Sequence, residues 1–509
     1  MRVKNSIKNM SIAIFSQIII ISLGFISRKV LLDTLGSEYL GLNGFLTDIL
    51  SLLGLVEGGV GASIVYNLYR PLAKKQEDKI IALVQLYKKL YCYIAIIVTI
   101  LSIILVPFLK LFIKDGDSIT NIYIVYFIFI SRNIISYFNA HKWSLINADQ
   151  KAYVLARINI IFNIITTIVK IAILTITKNY ILFLSVDMVI FAVQNIFNGI
   201  VVARLYPYIN TKKKYAVKKE VKDNIYENTK SLLLHNIGGY FVFGTDNILI
   251  SSLISIKVVG IYSNYSLIVR QVSNLINPII MSIGDSVGNL IAIEESNKKY
   301  TIFKVAYLFN FWIYSVAAIF LYNVVDEFII LYFGPNLTVN RLTFIVILVN
   351  FYINGLRGSI AIFKNKGGLF KQDKYIPLIE ALINLVMSLI LVKYFGLAGI
   401  FMGTTISSIL IPLWNRPRLV YKYIFERNFK EYIYKYIFYA VLTVGVGIFT
   451  TYLVKFIENS NLYGLIIKGS ICVIVPNILY LIIFYKTAEF KYVYSIIKNN
   501  IFKFKKIPV

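Results

Sequence analysis

Apolar runs of about twenty residues recur along this chain, each long enough to cross roughly 30 Å of hydrocarbon as an α-helix. Lipid offers no partner to backbone N–H and C=O groups, so a chain built from such runs is confined to elements that satisfy their own backbone. The runs lie at 11–32, 40–68, 90–113, 119–140, 153–176 and 181–203, then at 231–254, 258–290, 302–322, 342–363, 375–393 and 397–415, and finally at 433–454 and 462–485. The fold class they predict is an all-α membrane protein of about 14 transmembrane helices. Composition agrees, since 58% of the 509 residues are hydrophobic where a soluble domain holds about 45–50%.

Lys and Arg outnumber Asp and Glu by 53 to 25, for a formal net charge of +28. In a soluble protein that excess would suggest nucleic acid, but here the cations sit in short polar stretches between spans. With the N-terminus inside, 40 of the 53 fall on the cytoplasmic side and 10 on the other, while Lys170, Arg270 and Arg357 fall within spans. This positive-inside bias predicts a multi-pass protein of the cell (cytoplasmic) membrane, with both termini cytoplasmic and no nucleic-acid partner. Arg2, Lys4 and Lys8 precede a first run that lacks a small-residue cleavage site, so it reads as a retained span. Cys92 and Cys472 show no metal-like spacing, which leaves neither a zinc site nor a disulfide framework to expect. There is no nucleotide-binding P-loop, and no cofactor is expected beyond a coupling ion, H⁺ or Na⁺.

A basic stretch from Tyr206 to Lys230, with Lys212, Lys213, Lys214, Lys218, Lys219 and Lys222, separates two sets of six spans. The organisation this predicts is a first lobe over 1–205, a cytoplasmic linker over 206–230, a second lobe over 231–424, and two further spans with a basic amphipathic tail over 425–509. The turn Leu35–Gly41 (LGSEYLG) before span two resembles Ser255–Gly260 (SIKVVG) before span eight. Two pseudo-symmetric six-helix lobes plus two C-terminal helices would follow, an arrangement that transporters use to bind substrate between repeated halves and open alternately.

Ionisable side chains inside spans cost about 2.5–3.5 kcal/mol each on insertion, so they face a cavity or a partner rather than lipid. Arg270 shares one helical face with Ser263, Asn274, Asn277 and Gly288, all within about 40° of it at 100° per residue. Pro278 in the same run would free a carbonyl and permit a kink. Span ten repeats the pattern with Asn350, Asn354 and Arg357, span one aligns Gln17, Gly24 and Arg28, span seven groups His235, Gly239 and Asp246, and span two sets Glu57 among Gly54, Gly58, Gly59 and Gly61. Two readings of these residues stay open. Either Arg270, Arg357, Arg28 and Arg132, with Asn274 and Asn277, grip a pyrophosphate through bidentate guanidinium contacts, or they pair internally, Arg270 with Glu57 or Asp246 for example. Glu57, Asp246, Asp285 and His235, with Glu380, are candidates for ion coupling or for structural charge pairing. Lys170 stands alone in an apolar run. Many of the 38 Tyr and 35 Phe lie at span ends, where interfacial belts are expected.

The segment Tyr39–Lys75 (YLGLNGFLTDILSLLGLVEGGVGASIVYNLYRPLAKK), with Thr245–Ser251 (TDNILIS), Val259–Tyr265 (VGIYSNY) and Tyr394–Gly399 (YFGLAG), resembles the Wzx-type polysaccharide flippases of Gram-positive bacteria. These belong to the multidrug/oligosaccharidyl-lipid/polysaccharide exporter superfamily. The resemblance implies two six-helix lobes, two added helices, and alternating access for an undecaprenyl-pyrophosphate-linked oligosaccharide in capsule or cell-wall polysaccharide biosynthesis, without covalent chemistry. Its implied partners are the lipid-linked oligosaccharide and membrane lipids, with a polysaccharide polymerase and glycosyltransferases as further candidates. The relatives' cationic cavities favour the ligand reading of Arg270 and Arg28. A cation-coupled multidrug exporter of the same superfamily would favour an aromatic and acidic chamber instead. A membrane glycosyltransferase or polymerase would need acidic residues on a large outer loop, whereas the longest outer connection here runs only from Asn323 to Arg341.

Overall fold

The computed structural model describes the backbone of residues 2–115, 119, 121–281, 284–369, 372–457, 461–492 and 494–495. These residues form helices joined by turns, in two compact units, Met1–Ser263 and Asn264–Val509.

The first unit runs α1 (Arg2–Leu35), α2 (Ser37–Gly54), α3 (Val60–Ala73), α4 (Glu77–Leu105), α5 (Ile122–Phe138), α6 (Ala140–Ala148), α7 (Ala152–Thr177), α8 (Tyr180–Leu205), α9 (Lys219–Phe243), α10 (Asp246–Leu253) and the start of α11 (Ile256–Met281). Helix α1 packs on α2 and α7, α5 on α4 and α8, and α3 on α4, α6 and α9. The core side of α2 carries Leu42, Phe45, Leu46 and Ile49, all buried, which is the apolar stripe that its helical period dictates. The two similar turns seen in the sequence meet here. A Cβ placed on Gly41 would lie 2.0 Å from the Ile256 carbonyl oxygen, and one on Gly260 would lie 1.9 Å from that of Ser37. Only glycine permits this backbone-to-backbone approach of α2 and α11.

The second unit continues through α12 (Gly284–Ile293), α13 (Ser296–Tyr332), α14 (Arg341–Lys366), α15 (Ile376–Phe395), α16 (Leu397–Leu410), α17 (Pro412–Val420), α18 (Lys430–Val454) and α19 (Leu462–Phe484). Helix α13 is its axis, packed on α14, α18 and α19. Its aromatic spine, Phe303, Tyr307 and Phe311, meets Tyr432 at 5.1 Å from Tyr307 and Tyr439 at 4.1 Å from Phe311. The α15–α16 hairpin turns on Gly396 at φ +56°. It closes tightly because Gly399 and Gly403 present no side chain to the Leu391 carbonyl and to Ser388, while Asn384 donates to Thr404 at 2.8 Å.

Ten helices are long and apolar enough to cross a membrane among the described residues, or eleven if α5 and α6, bent by 50°, form one span. The expected boundaries match to within a few residues at 153–176, 181–203, 342–363, 375–393, 433–454 and 462–485, whereas α1, α4 and α13 begin well before their expected runs and four breaks fall inside expected runs. Span two ends at Glu57, because Gly58 and Gly59 take left-handed φ of +55° and +85°, a conformation glycine adopts without strain. Span seven is divided at Gly244–Thr245 into α9 and α10, so Asp246 opens a new helix and does not continue the face of His235 and Gly239. Span four bends at Asn139 between α5 and α6, and span twelve divides into α16 and α17, where Pro412 starts the second piece.

Beyond α19, Glu489 ties the last described segment to the second unit, with Lys435 Nζ at 3.1 Å and Lys304 Nζ at 3.8 Å. Burial alone would raise its carboxyl. A backbone hydrogen bond and the two lysines outweigh that and hold it below the usual carboxylate range. A depressed carboxylate stabilises the fold above its unfolded value and loses that contribution as pH falls through its folded value. Glu489→Gln is therefore expected to lower the thermal midpoint in detergent at pH 7, and the difference from wild type should shrink as pH falls below about 4. Gly260→Val, which forces side chain into backbone, should cost at least about 1–3 kcal/mol and sharply reduce the yield of monodisperse protein in size-exclusion chromatography.

Candidate functional site

A cavity of about 570 Å³ lies within the first unit, walled by α4, α5, α6, α7, α8 and the turn at Glu57. The left-handed Gly58–Gly59 step ends α2's run at Glu57 and sets that carboxylate against α4. Tyr91 donates its hydroxyl to Glu57 Oε1, and Tyr87 donates to Tyr91 at 3.2 Å. Gly61 leaves room for this cluster, since a Cβ there would lie 2.8 Å from the Tyr87 hydroxyl. The opposite wall is a set of carboxamides. Asn159 Oδ1 accepts from both Gln194 Nε2 and Asn198 Nδ2 at 2.8 Å, and Asn195 Oδ1 accepts from Asn139 Nδ2 at 2.6 Å. Trp143, Tyr137 and Phe191 supply aromatic faces.

Next to this wall sits a charged triad. Asp187 on α8 pairs with Arg132 Nε on α5 at 3.0 Å and with Lys170 Nζ on α7 at 3.0 Å. Lys170 is therefore not a lone charge reaching for an interface but one side of a partly buried pair. The Arg132 guanidinium also lies 4.5 Å over the Phe191 ring, which joins the triad to the cavity lining. Arg28 donates to the Ser263 hydroxyl.

In the second unit Arg357, only 4% exposed, is spoken for. Its Nη1 lies 3.3 Å from Glu380 Oε1, its Nη2 donates to Asn354, and Arg416 Nη2 approaches the other Glu380 oxygen at 3.8 Å. Lys364 and Asp373 form a further buried pair nearby. Arg270 differs. It is exposed, its Nη2 donates to Ser266 one turn earlier at 3.0 Å, and it makes no ion pair among the described residues. Asn274 and Asn277 are exposed on the same helix, and Asn277 accepts from the Tyr314 hydroxyl at 2.7 Å. The side chains of His235 and Asp285 lie outside the described residues, and Asp246 stands in the first turn of α10.

The charge-based sequence reading passed over Asp187, Arg416 and the carboxamides. A signal for them was present, because Asp187, Gln194 and Asn198 recur at i, i+7 and i+11 on one face of α8.

The model of the polysaccharide biosynthesis protein family matches residues 6–284, more than half of the chain. The chain belongs to that family. No curated protein sequence matches it. Among solved structures it is similar to the lipid II flippase MurJ in an inward closed conformation, with a TM-score of 0.65 and 15% identity over 95% of this chain and 99% of that one. It is also similar to a point mutant of the Vibrio cholerae MATE transporter VcmN, at 0.59 and 12% identity over 84% and 98%. A third likeness is to a superfamily transporter from Pyrococcus furiosus described as having a binding pocket of reversed polarity, at 0.53 and 14% identity over 81% and 95%. The family member thus has a fold like that of MurJ and the MATE proteins.

Removing one partner of a buried pair strands the other charge, at a cost of about 3–5 kcal/mol, whereas exposed positions shift stability by about 0.5 kcal/mol at most. Arg357→Ala is accordingly expected to lower the unfolding midpoint markedly in a detergent melt. Arg270→Ala should melt like wild type.

Proposed function

We propose that this family member is a Wzx-type flippase that carries an undecaprenyl-pyrophosphate-linked oligosaccharide from the inner to the outer leaflet by alternating access, for capsule or cell-wall polysaccharide. What supports the reading is a conjunction, a polysaccharide biosynthesis family chain on a transporter fold. In this proposal the chain crosses the membrane fourteen times, because α1 with 34 residues, α9 followed by α10, and α11 with 26 residues join the eleven spans counted above. Both termini are cytoplasmic by the charge bias. The lobes are 1–205 and 231–424, joined by 206–230 and followed by 425–509.

Arg270, with Asn274 and Asn277 on one face of α11, is the proposed pyrophosphate contact, since its guanidinium is not neutralised by a described acid. Arg28 and Arg132 are secondary candidates because each already holds a partner. Arg357 takes a structural place in this scheme, given its pairing with Glu380. Glu57, Asp246, Asp285 and His235 remain the groups proposed for coupling to H⁺ or Na⁺. A cation-coupled drug exporter draws support from one observation, the Glu57 carboxylate in a partly aromatic cavity.

Depletion separates the two readings. A flippase predicts lipid-linked repeat units trapped on the cytoplasmic side and loss of surface polymer, measured by extraction and by leaflet-selective labelling. Unchanged polymer together with raised sensitivity to cationic dyes would instead mark an exporter. In the same assay Arg270→Ala should reduce translocation at least tenfold at normal expression.

A further inference from the structure

We propose that the cavity of the first unit is a binding site for a neutral sugar ring, and that in the carried lipid it receives the carbohydrate head while the pyrophosphate is held elsewhere. The assignment of that sugar to a carrier lipid rests on the flippase reading; the chemistry of the cavity does not.

Its unspent hydrogen-bonding capacity is of both kinds. Asn159 and Asn195 spend their carbonyl oxygens on neighbouring amides, and their Nδ2 donors have no partner among the described residues. Gln194 and Asn198 spend their amino groups on Asn159, leaving Gln194 Oε1 and the buried Asn198 Oδ1 without a donor among the described residues. Asn198 is 6% exposed, and a buried unmet acceptor of this sort costs about 1–3 kcal/mol until something donates to it. A cation would satisfy only acceptors and a phosphate only donors. A sugar hydroxyl donates and accepts from one atom, and an acetamido group does so from two, so a wall of paired amide donors and acceptors suits them both.

Charge argues the same way. No Lys or Arg is among the cavity's described lining residues, and its single carboxylate, which accepts the Tyr91 hydroxyl, would repel an anion. The aromatic faces of Trp143 and Phe191 offer apolar surface for the C–H side of a pyranose. A volume of about 570 Å³ lies within the roughly 300–1,000 Å³ of small-molecule sites. The lining comes from the turn at Glu57, the first half of α4, the last turn of α5, α6, the first turns of α7 and the second half of α8. In the proposed orientation that is the cytoplasmic end, where a precursor would be collected.

Trp143 reports on the cavity directly. Full-length protein in lipid nanodiscs would be titrated with N-acetylglucosamine, glucose, inorganic pyrophosphate and tetraphenylphosphonium while tryptophan fluorescence is followed, with Trp143→Phe as the control. The expected result is a saturable response to at least one of the two sugars, absent in Trp143→Phe and at least tenfold weaker in Asn159→Leu and in the milder Gln194→Met, with none to pyrophosphate. The proposal is overturned if neither sugar responds, if both amide variants respond like wild type, or if tetraphenylphosphonium binds and Glu57→Gln abolishes that binding. Sugar binding without precursor trapping on depletion would retain the site and remove the flippase. Precursor trapping without sugar binding would do the reverse.

Discussion

The constraint on which the rest of this structure depends is the cost of a polar group in lipid. It forces the backbone into helices, and it forces charges inside helices to find each other. Asp187 with Arg132 and Lys170, Glu380 with Arg357 and Arg416, and Asp373 with Lys364 are three solutions of one kind, each an acid set against a base from another element. The first two clusters keep one cation in excess. Pairing of this sort is weak evidence for stability gained over an apolar core. Its effect is to fix which helices are neighbours and in what register.

Against that background the polar side chains that stay unmatched stand out. Arg270 has a serine and no acid among the described residues, and the carboxamides on α7 and α8 hold one another while leaving donors and acceptors over. The two sets differ in chemistry, cationic in one case and neutral in the other.

Much of the fold was legible because apolar runs are read by length alone. Expected ends at 153–176 and 342–363 became Ala152–Thr177 and Arg341–Lys366. The breaks were hidden, since Gly58–Gly59, Asn139 and Gly244 interrupt apolar runs with a turn of only one or two residues, which a hydropathy window averages away. Within the candidate site, helical offsets identified which residues share a face of one helix, as with Asn354 and Arg357, but not what faces them from another. Glu380 lies 23 residues from Arg357 and Asp187 lies 55 from Arg132, and no periodicity links such pairs. Ranking residues by the cost of charge also passed over carboxamides, whose unmet valences are visible only once neighbours are in place.

The pairing of Lys170 with Asp187 bears on how the chain enters the bilayer. Between α7 and α8 there are only Lys178 and Asn179, so the two spans form a hairpin that carries its own countercharge. A segment with a solitary lysine is a poor substrate for lateral exit from a translocation channel. Delivered with its successor, it leaves as a neutral pair, and Arg132 on the earlier α5 can then dock against a carboxylate already held in place. The order of helices along the chain thereby becomes an order of assembly.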